Sequence, residues 1–167
     1  MTIDRLPNLP AGTDLFLDAN VFIYAFGGRS NECHNLLQRC STEEVFGITT
    51  FEVIHEVTHR LMLIEAVATG VITKESVAAL KGKWRDVTTL TQYWSLTARI
   101  FGLNILILAS EEPRLHRAHT MRSRYGLLTN DSLILAAMDE YGIGYLATRD
   151  DDFDHISELT VYKPTDI

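Results

Sequence analysis

Cysteine is nearly absent: Cys33 and Cys40 are the only two in 167 residues. They lie seven apart, a spacing that suits one helix face and makes a disulfide framework a poor reading. A reducing cytoplasm is therefore the expected compartment. No apolar run approaches the ~20 residues of a membrane span, and the opening MTIDRLPNLPAG lacks the apolar core of a signal peptide. Neither an internal repeat nor a low-complexity tract occurs, and there is no P-loop or GxGxxG loop. What is plentiful is apolar residues, at 46%, which excludes disorder. The length suits one domain, with residues 1–13 as a lead-in and 14–167 as the folded unit.

Charge is unevenly spread. The net value is −7, which by itself argues against a polyanionic partner. Yet Lys81 to Arg124 carries eight basic residues against three acidic ones, while Asp131 to the end carries nine acids against Arg149 and Lys163. One reading of such blocks is a solvated helix face beside an acidic loop. The other is a basic cradle next to a carboxylate site, a layout for metal-dependent chemistry on a polyanion.

Short apolar stretches alternate with helical periodicity along the chain. Asp14–Asp18, Val45–Thr50, Asn104–Ala109, Gly144–Thr148 and Thr160–Lys163 read as strands. Helices are expected over Ala19–Phe26, Asn31–Cys40, from Thr50 to Ala68, and from Thr73 to Trp84. Another is expected with Leu90, Trp94, Thr97 and Phe101 on one face, then Glu111–Tyr125 and Asp131–Tyr141, the last capped by Asn130. Alternation of this kind implies an α/β fold with a parallel sheet of four or five strands covered on both faces. Ligands in such sheets sit beyond the carboxyl ends of the strands.

That is where acids recur. Asp18 ends the first of these strands, Asp131 opens a helix and Asp150 follows a later strand, while Glu52 and Glu56 share a helix face after the second. Clustered carboxylates repel unless a cation neutralises them. Oxygen-only ligands select a hard divalent ion such as Mg²⁺ or Mn²⁺, which activates water and polarises a phosphodiester.

Four stretches carry a family resemblance. Leu17-Asp18-Ala-Asn20-Val-Phe-Ile-Tyr, Thr49-Thr50 leading to Glu56, Gly126-Leu-Leu-Thr-Asn-Asp131-Ser-Leu-Ile-Leu-Ala-Ala, and Leu146-Ala-Thr148-Arg-Asp150-Asp-Asp152-Phe153 occur in that order. Together they resemble PIN-domain ribonucleases, and most closely the VapC-type toxins of toxin–antitoxin pairs. The resemblance implies a three-layer α/β/α fold and a metal-dependent endoribonuclease. It implies metal-binding acids at Asp18, Glu56, Asp131 and Asp150, an outer ligand at Asp152, and polar support from Asn20 and Thr148. Either Glu52 or Glu56 reaches the metal by helix geometry alone. The family's spacing selects Glu56 and leaves Glu52 in support. A homodimer, an RNA substrate and a small cognate antitoxin are further implications. Arg114, Arg117 and Arg122 are the candidate RNA contacts on the basic helix.

Other readings compete for the same residues. His55-Glu56-Val-Thr-His59 matches HExxH, the zinc-protease helix motif, with both histidines on one face. No third ligand pattern follows it, and that reading leaves Asp18, Asp131 and Asp150 unused. A non-catalytic PIN-like scaffold is the alternative from another class, against which four retained acids argue. Receiver domains and haloacid-dehalogenase phosphatases need an acid where Ala19 or Asn20 stands. Cys33, His34 and Cys40 give only three zinc ligands and read better as helix residues. His116 and His119 read as solvated.

Overall fold

In the computed structural model, which describes residues 2–167, the strands are β1 (Thr2–Arg5), β2 (Asp14–Leu17), β3 (Phe46–Thr50), β4 (Leu106–Leu108), β5 (Tyr145–Ala147) and β6 (Thr160–Lys163). They pair in parallel throughout, in the order β1-β6-β5-β2-β3-β4. The helices are α1 (Ala19–Phe26), α2 (Asn31–Ser41), α3 (Phe51–Ala68), α4 (Val77–Leu80), α5 (Trp84–Val87), α6 (Gln92–Ile100), α7 (Glu112–Tyr125) and α8 (Thr129–Tyr141). Parallel strands need helical crossovers, so the sheet is flanked by helices and its central strands are buried. Leu15, Phe16 and Leu17 of β2, Leu146 and Ala147 of β5 and Val161 of β6 are all fully buried. No helix among the described residues is long and apolar enough to cross a membrane.

Among the described residues six strands form where four or five are expected from sequence. The extra one is β1, inside the stretch read as a lead-in, where Thr2 to Arg5 pair residue for residue with Thr160 to Lys163. It is an edge strand with one apolar side chain, Ile3, and that one is itself exposed. The helix expected from Thr73 to Trp84 is two short turns instead, α4 capped by Ser76 and α5 entered after Gly82. The φ of +86° at Gly82 lies in the left-handed region, which ends a right-handed helix there. Along α6 the buried residues are Thr97 and Ile100, with Leu90 just ahead of the helix, whereas Trp94 and Phe101 are exposed.

Side-chain caps fix α3 and α6. Thr50 ends β3 and caps α3, its hydroxyl accepting from the Val53 N–H at 3.4 Å. Thr49 is held by donating to the Leu17 carbonyl at 2.9 Å, which ties the ends of β2 and β3 together. Glu65 of α3 caps α6 from outside: its carboxylate accepts from the backbone N–H groups of Thr91, Gln92 and Tyr93 at 2.9, 3.0 and 2.7 Å. Burial pushes this carboxyl up, and the three N–H groups override it and hold it below its ordinary value. Cys33 and Cys40 are free and buried on α2.

Candidate active site

Asp18 follows the last residue of β2 and is itself the N-cap of α1. A strand buried on both faces delivers it to the carboxyl edge of the sheet, and the chain turns there into a helix. Its carboxylate is almost fully used by the protein. Oδ1 accepts from the Ala19 N–H at 2.6 Å, and Oδ2 accepts from Asn20 Nδ2 at 2.5 Å and from the Thr148 hydroxyl at 2.6 Å. Thr148 sits at the end of the neighbouring strand β5. Its oxygen also accepts from Asn20 Nδ2 at 2.9 Å and from the Asp150 N–H at 3.0 Å. Asn20 Oδ1 accepts from the Arg149 N–H at 3.0 Å. The network locks the end of β2 to the loop after β5, and it fixes where Asp150 stands.

Around Asp18 opens a cleft of about 630 Å³ whose lining includes Asn20, Tyr24, Glu56, Asp131 and Asp150. Glu56 comes from α3, where Asn130 donates to its Oε2 at 3.0 Å. Asp131 comes from the first turn of α8, whose partial positive charge favours a carboxylate. Asn130 is therefore not the cap of α8: the N-cap is Leu128, which offers no side-chain acceptor, and Asn130 holds Glu56 instead. Glu52 lies outside the cleft, in a shallow depression on the far side of Glu56, with one buried oxygen that has no hydrogen-bond partner. Asp152 is exposed and also outside it, and its N–H donates to Asp150 Oδ1 at 3.0 Å. It acts on the cleft through Asp150 and through its charge.

Burial drives the Asp18 carboxyl up to about 7 against the pull of the Thr148 and Ala19 hydrogen bonds, and the nearby charges of Glu56 and Asp131 add to the rise. Asp131 is raised to about 6 by partial burial and by the charges of Asp150, Asp152 and Glu56. Both acids bind a proton more tightly folded than unfolded. The stability this contributes is complete below about pH 4 and is lost as pH rises through about 6 to 7. The melting temperature of the metal-free protein is expected to fall across that interval, and a divalent cation to recover it most at the higher pH. Thermal melts in chelator and in Mg²⁺ at several pH values check this, and a metal-free melting temperature that climbs from pH 5 to 7 contradicts it.

The donor set fits a hard divalent cation: four carboxylates from four elements, none matched by a short ion pair to a cation of the protein. Among the described residues, no three His, Cys, Asp or Glu side chains converge tightly enough to form a closed metal shell. The acids line the cleft rather than meeting at a point. The zinc motif fares worse. His55 and His59 are exposed on the outer side of α3, and no third ligand joins them among the described residues.

The basic helix does not line the cleft. Arg114 is buried, with 1% of its side chain exposed, Nε donating to Glu140 Oε2 at 3.1 Å and Nη1 donating to the Ala109 carbonyl. Arg117 pairs with Asp139 at 2.7 Å, and Arg122 donates to the Ser132 hydroxyl at 3.0 Å. Burial removes Arg114 from the expected RNA contacts, while Arg117 and Arg122 reach across to α8 and, like Arg114, do not line the cleft. The cations at the cleft are Arg60 and Arg149. The sequence signal for them was adjacency to an acid: Arg60 is one helical turn past Glu56, and Arg149 immediately precedes Asp150.

The PIN domain family model matches residues 15–159. Ribonuclease VapC6 of Methanocaldococcus jannaschii is 26% identical over 160 residues, which cover 90% of this chain and 97% of that one. Among solved structures, a toxin-antitoxin complex from Klebsiella pneumoniae superposes with a TM-score of 0.54 at 21% identity, over 93% of this chain and 100% of its own. VapBC2 from Rickettsia felis, bound to a DNA fragment from its promoter, gives 0.57 at 17% identity, over 90% and 98%.

Proposed function

This chain belongs to the PIN-domain family, and we propose that it is a metal-dependent endoribonuclease, the toxin of a toxin–antitoxin pair. The observation that carries the reading is the gathering of Asp18, Glu56, Asp131 and Asp150 round one cleft at the carboxyl edge of the sheet. These four would hold Mg²⁺ or Mn²⁺. A bound divalent ion supplies an activated water and draws charge off the scissile phosphate.

The protein's own part is positioning and proton control. Asn20 and Thr148 each donate to Asp18 Oδ2, so the carboxylate cannot rotate away from the cleft. Asn130 orients Glu56 in the same manner, and the Thr148 and Asp152 contacts orient Asp150. Without a cation, burial and like charges hold Asp18 and Asp131 up near 7 and 6, and a divalent ion bound between them would favour their ionised forms. The relatives described as a ribonuclease and as toxin–antitoxin complexes support RNA as substrate and a small antitoxin as partner. A second copy of the chain is the other expected partner, and exposed Trp84, Trp94 and Phe101 offer apolar surface for association.

The test is cleavage of an end-labelled single-stranded RNA. With Mg²⁺ or Mn²⁺ the strand should be cut internally, chelator should stop the reaction, and added metal should restore it. The double variant His55→Ala, His59→Ala should keep most of the activity. Cleavage that persists in chelator, or stoichiometric zinc that disappears in the double histidine variant, contradicts the reading.

A further inference from the structure

The cleft of carboxylates also contains two arginines. Arg60 and Arg149 line it, and among the described residues neither makes an ion pair with any of the four acids there. Each pairs instead with an acid outside the cleft at longer range: Arg60 Nη2 is 3.4 Å from Glu75 Oε2, and Arg149 Nη1 is 3.6 Å from Asp151 Oδ1. Both side chains are about half exposed, at 50% and 46%. Arg117 and Arg124, by contrast, are tied to carboxylates at 2.7 and 2.9 Å. The backbone of Arg149 is meanwhile fixed by Asn20. The result is a cation with an anchored base and a weakly engaged head.

Topology places the pair. Arg60 belongs to α3, which leaves β3, and Arg149 follows β5; β3 and β5 flank β2 on its two sides. The arginines therefore come from elements on opposite sides of Asp18. A guanidinium is a planar fork suited to two phosphate oxygens, and weak surface pairs of this kind are easily exchanged for a better anion.

We propose that Arg60 and Arg149 grip the backbone phosphates on either side of the scissile linkage, so that the cleft accepts a strand with phosphate both before and after the cut. The inference rests on the nuclease reading and deepens it. It makes the substrate an internal stretch of chain, and it makes a dinucleotide, with no flanking phosphate, a poor ligand. Each arginine–phosphate contact releases counterions, so each adds a share to the salt dependence of binding.

The experiment is fluorescence anisotropy with labelled decauridylate in Mg²⁺ at several salt concentrations, with Asp18→Asn as common background to prevent cleavage. Arg60→Gln and Arg149→Gln should each weaken binding by roughly tenfold at low salt and reduce the salt slope by about one contact, with melting temperatures unchanged. Arg117→Gln should change neither. Methylphosphonate placed at one linkage at a time should hurt the Arg60 parent and spare Arg60→Gln on one side of the cut only, with Arg149→Gln sparing the other side. Unchanged affinity and slope in both arginine variants overturns the inference while wild-type protein still cuts decauridylate. So does a response of both variants to the same linkage. Wild-type protein that cuts no RNA in Mg²⁺ or Mn²⁺ overturns the nuclease reading instead, and this inference falls with it.

Discussion

Asp18→Asn is expected to lower RNA cleavage by at least about a thousandfold while leaving the fold intact. Of the four acids lining the cleft, Asp18 is the one whose two oxygens are both gripped by the protein, from Ala19, Asn20 and Thr148, at the end of the central strand. Asparagine keeps the size and one acceptor and removes the negative charge. It also removes a buried group whose ionisation costs stability near neutrality, since burial and the charges of Glu56 and Asp131 hold Asp18 near 7. The metal-free variant should therefore melt at or near the wild-type temperature at pH 7 and show little of the wild-type rise on adding Mg²⁺. Single-turnover cleavage and thermal melts read the two effects separately. Cleavage at the wild-type rate removes Asp18 from the mechanism.

Arg114→Ala should be the most damaging change on the basic helix, and damaging to stability rather than to RNA binding. It deletes a fully buried side chain, opens a cavity between α7 and α8, and leaves Glu140 and the Ala109 carbonyl without their donor. Deleting a buried side chain together with its hydrogen bonds costs about 3 kcal/mol, which for a chain of this size lowers the melting temperature by roughly 6–12 °C. Arg114→Met should cost less, because it keeps most of the packing volume. Urea unfolding gives the stability and RNA titration gives the affinity. Lost affinity at unchanged stability would return Arg114 to the RNA surface.

Why Arg114 reads wrongly from sequence is instructive. Arginines three apart on a helix establish a shared stripe, yet not whether that stripe meets water or core. On α7 the buried set is Arg114, Ala118 and Met121, at helical spacing, so the arginine occupies the head of the apolar face. On α6 the error has the opposite sign: Trp94 and Phe101 look like core by residue type and are exposed, whereas Thr97 of the same expected face is buried and Ile100 is buried in place of its neighbour Phe101. Strand β1 is hidden because an edge strand needs little apolar content, and its pairing with β6 is supplied by backbone.

The acids were legible for a physical reason. A strand buried on both faces is an apolar run, and a polar residue directly after it marks the sheet edge; Asp18 after Leu17 and Thr148 after Ala147 both fit that description. The choice between Glu52 and Glu56 was open by helix geometry, and the position of α3 decides which one lines the cleft. Arg60 and Arg149 lie outside the basic block, so a count of charges along the chain does not single them out.

The measurement that bears most directly on the account is calorimetric titration of Mn²⁺ into metal-free protein, repeated in buffers of different ionisation enthalpy. Ligand carboxylates must lose their protons to bind a cation. Wild-type protein should bind Mn²⁺ with release of protons at about pH 6, where Asp18 and Asp131 still hold them, and with little release at about pH 8. Asp18→Asn should bind far more weakly. Binding with no proton release at either pH, or equal binding by the variant, would contradict a metal centre built on these carboxylates.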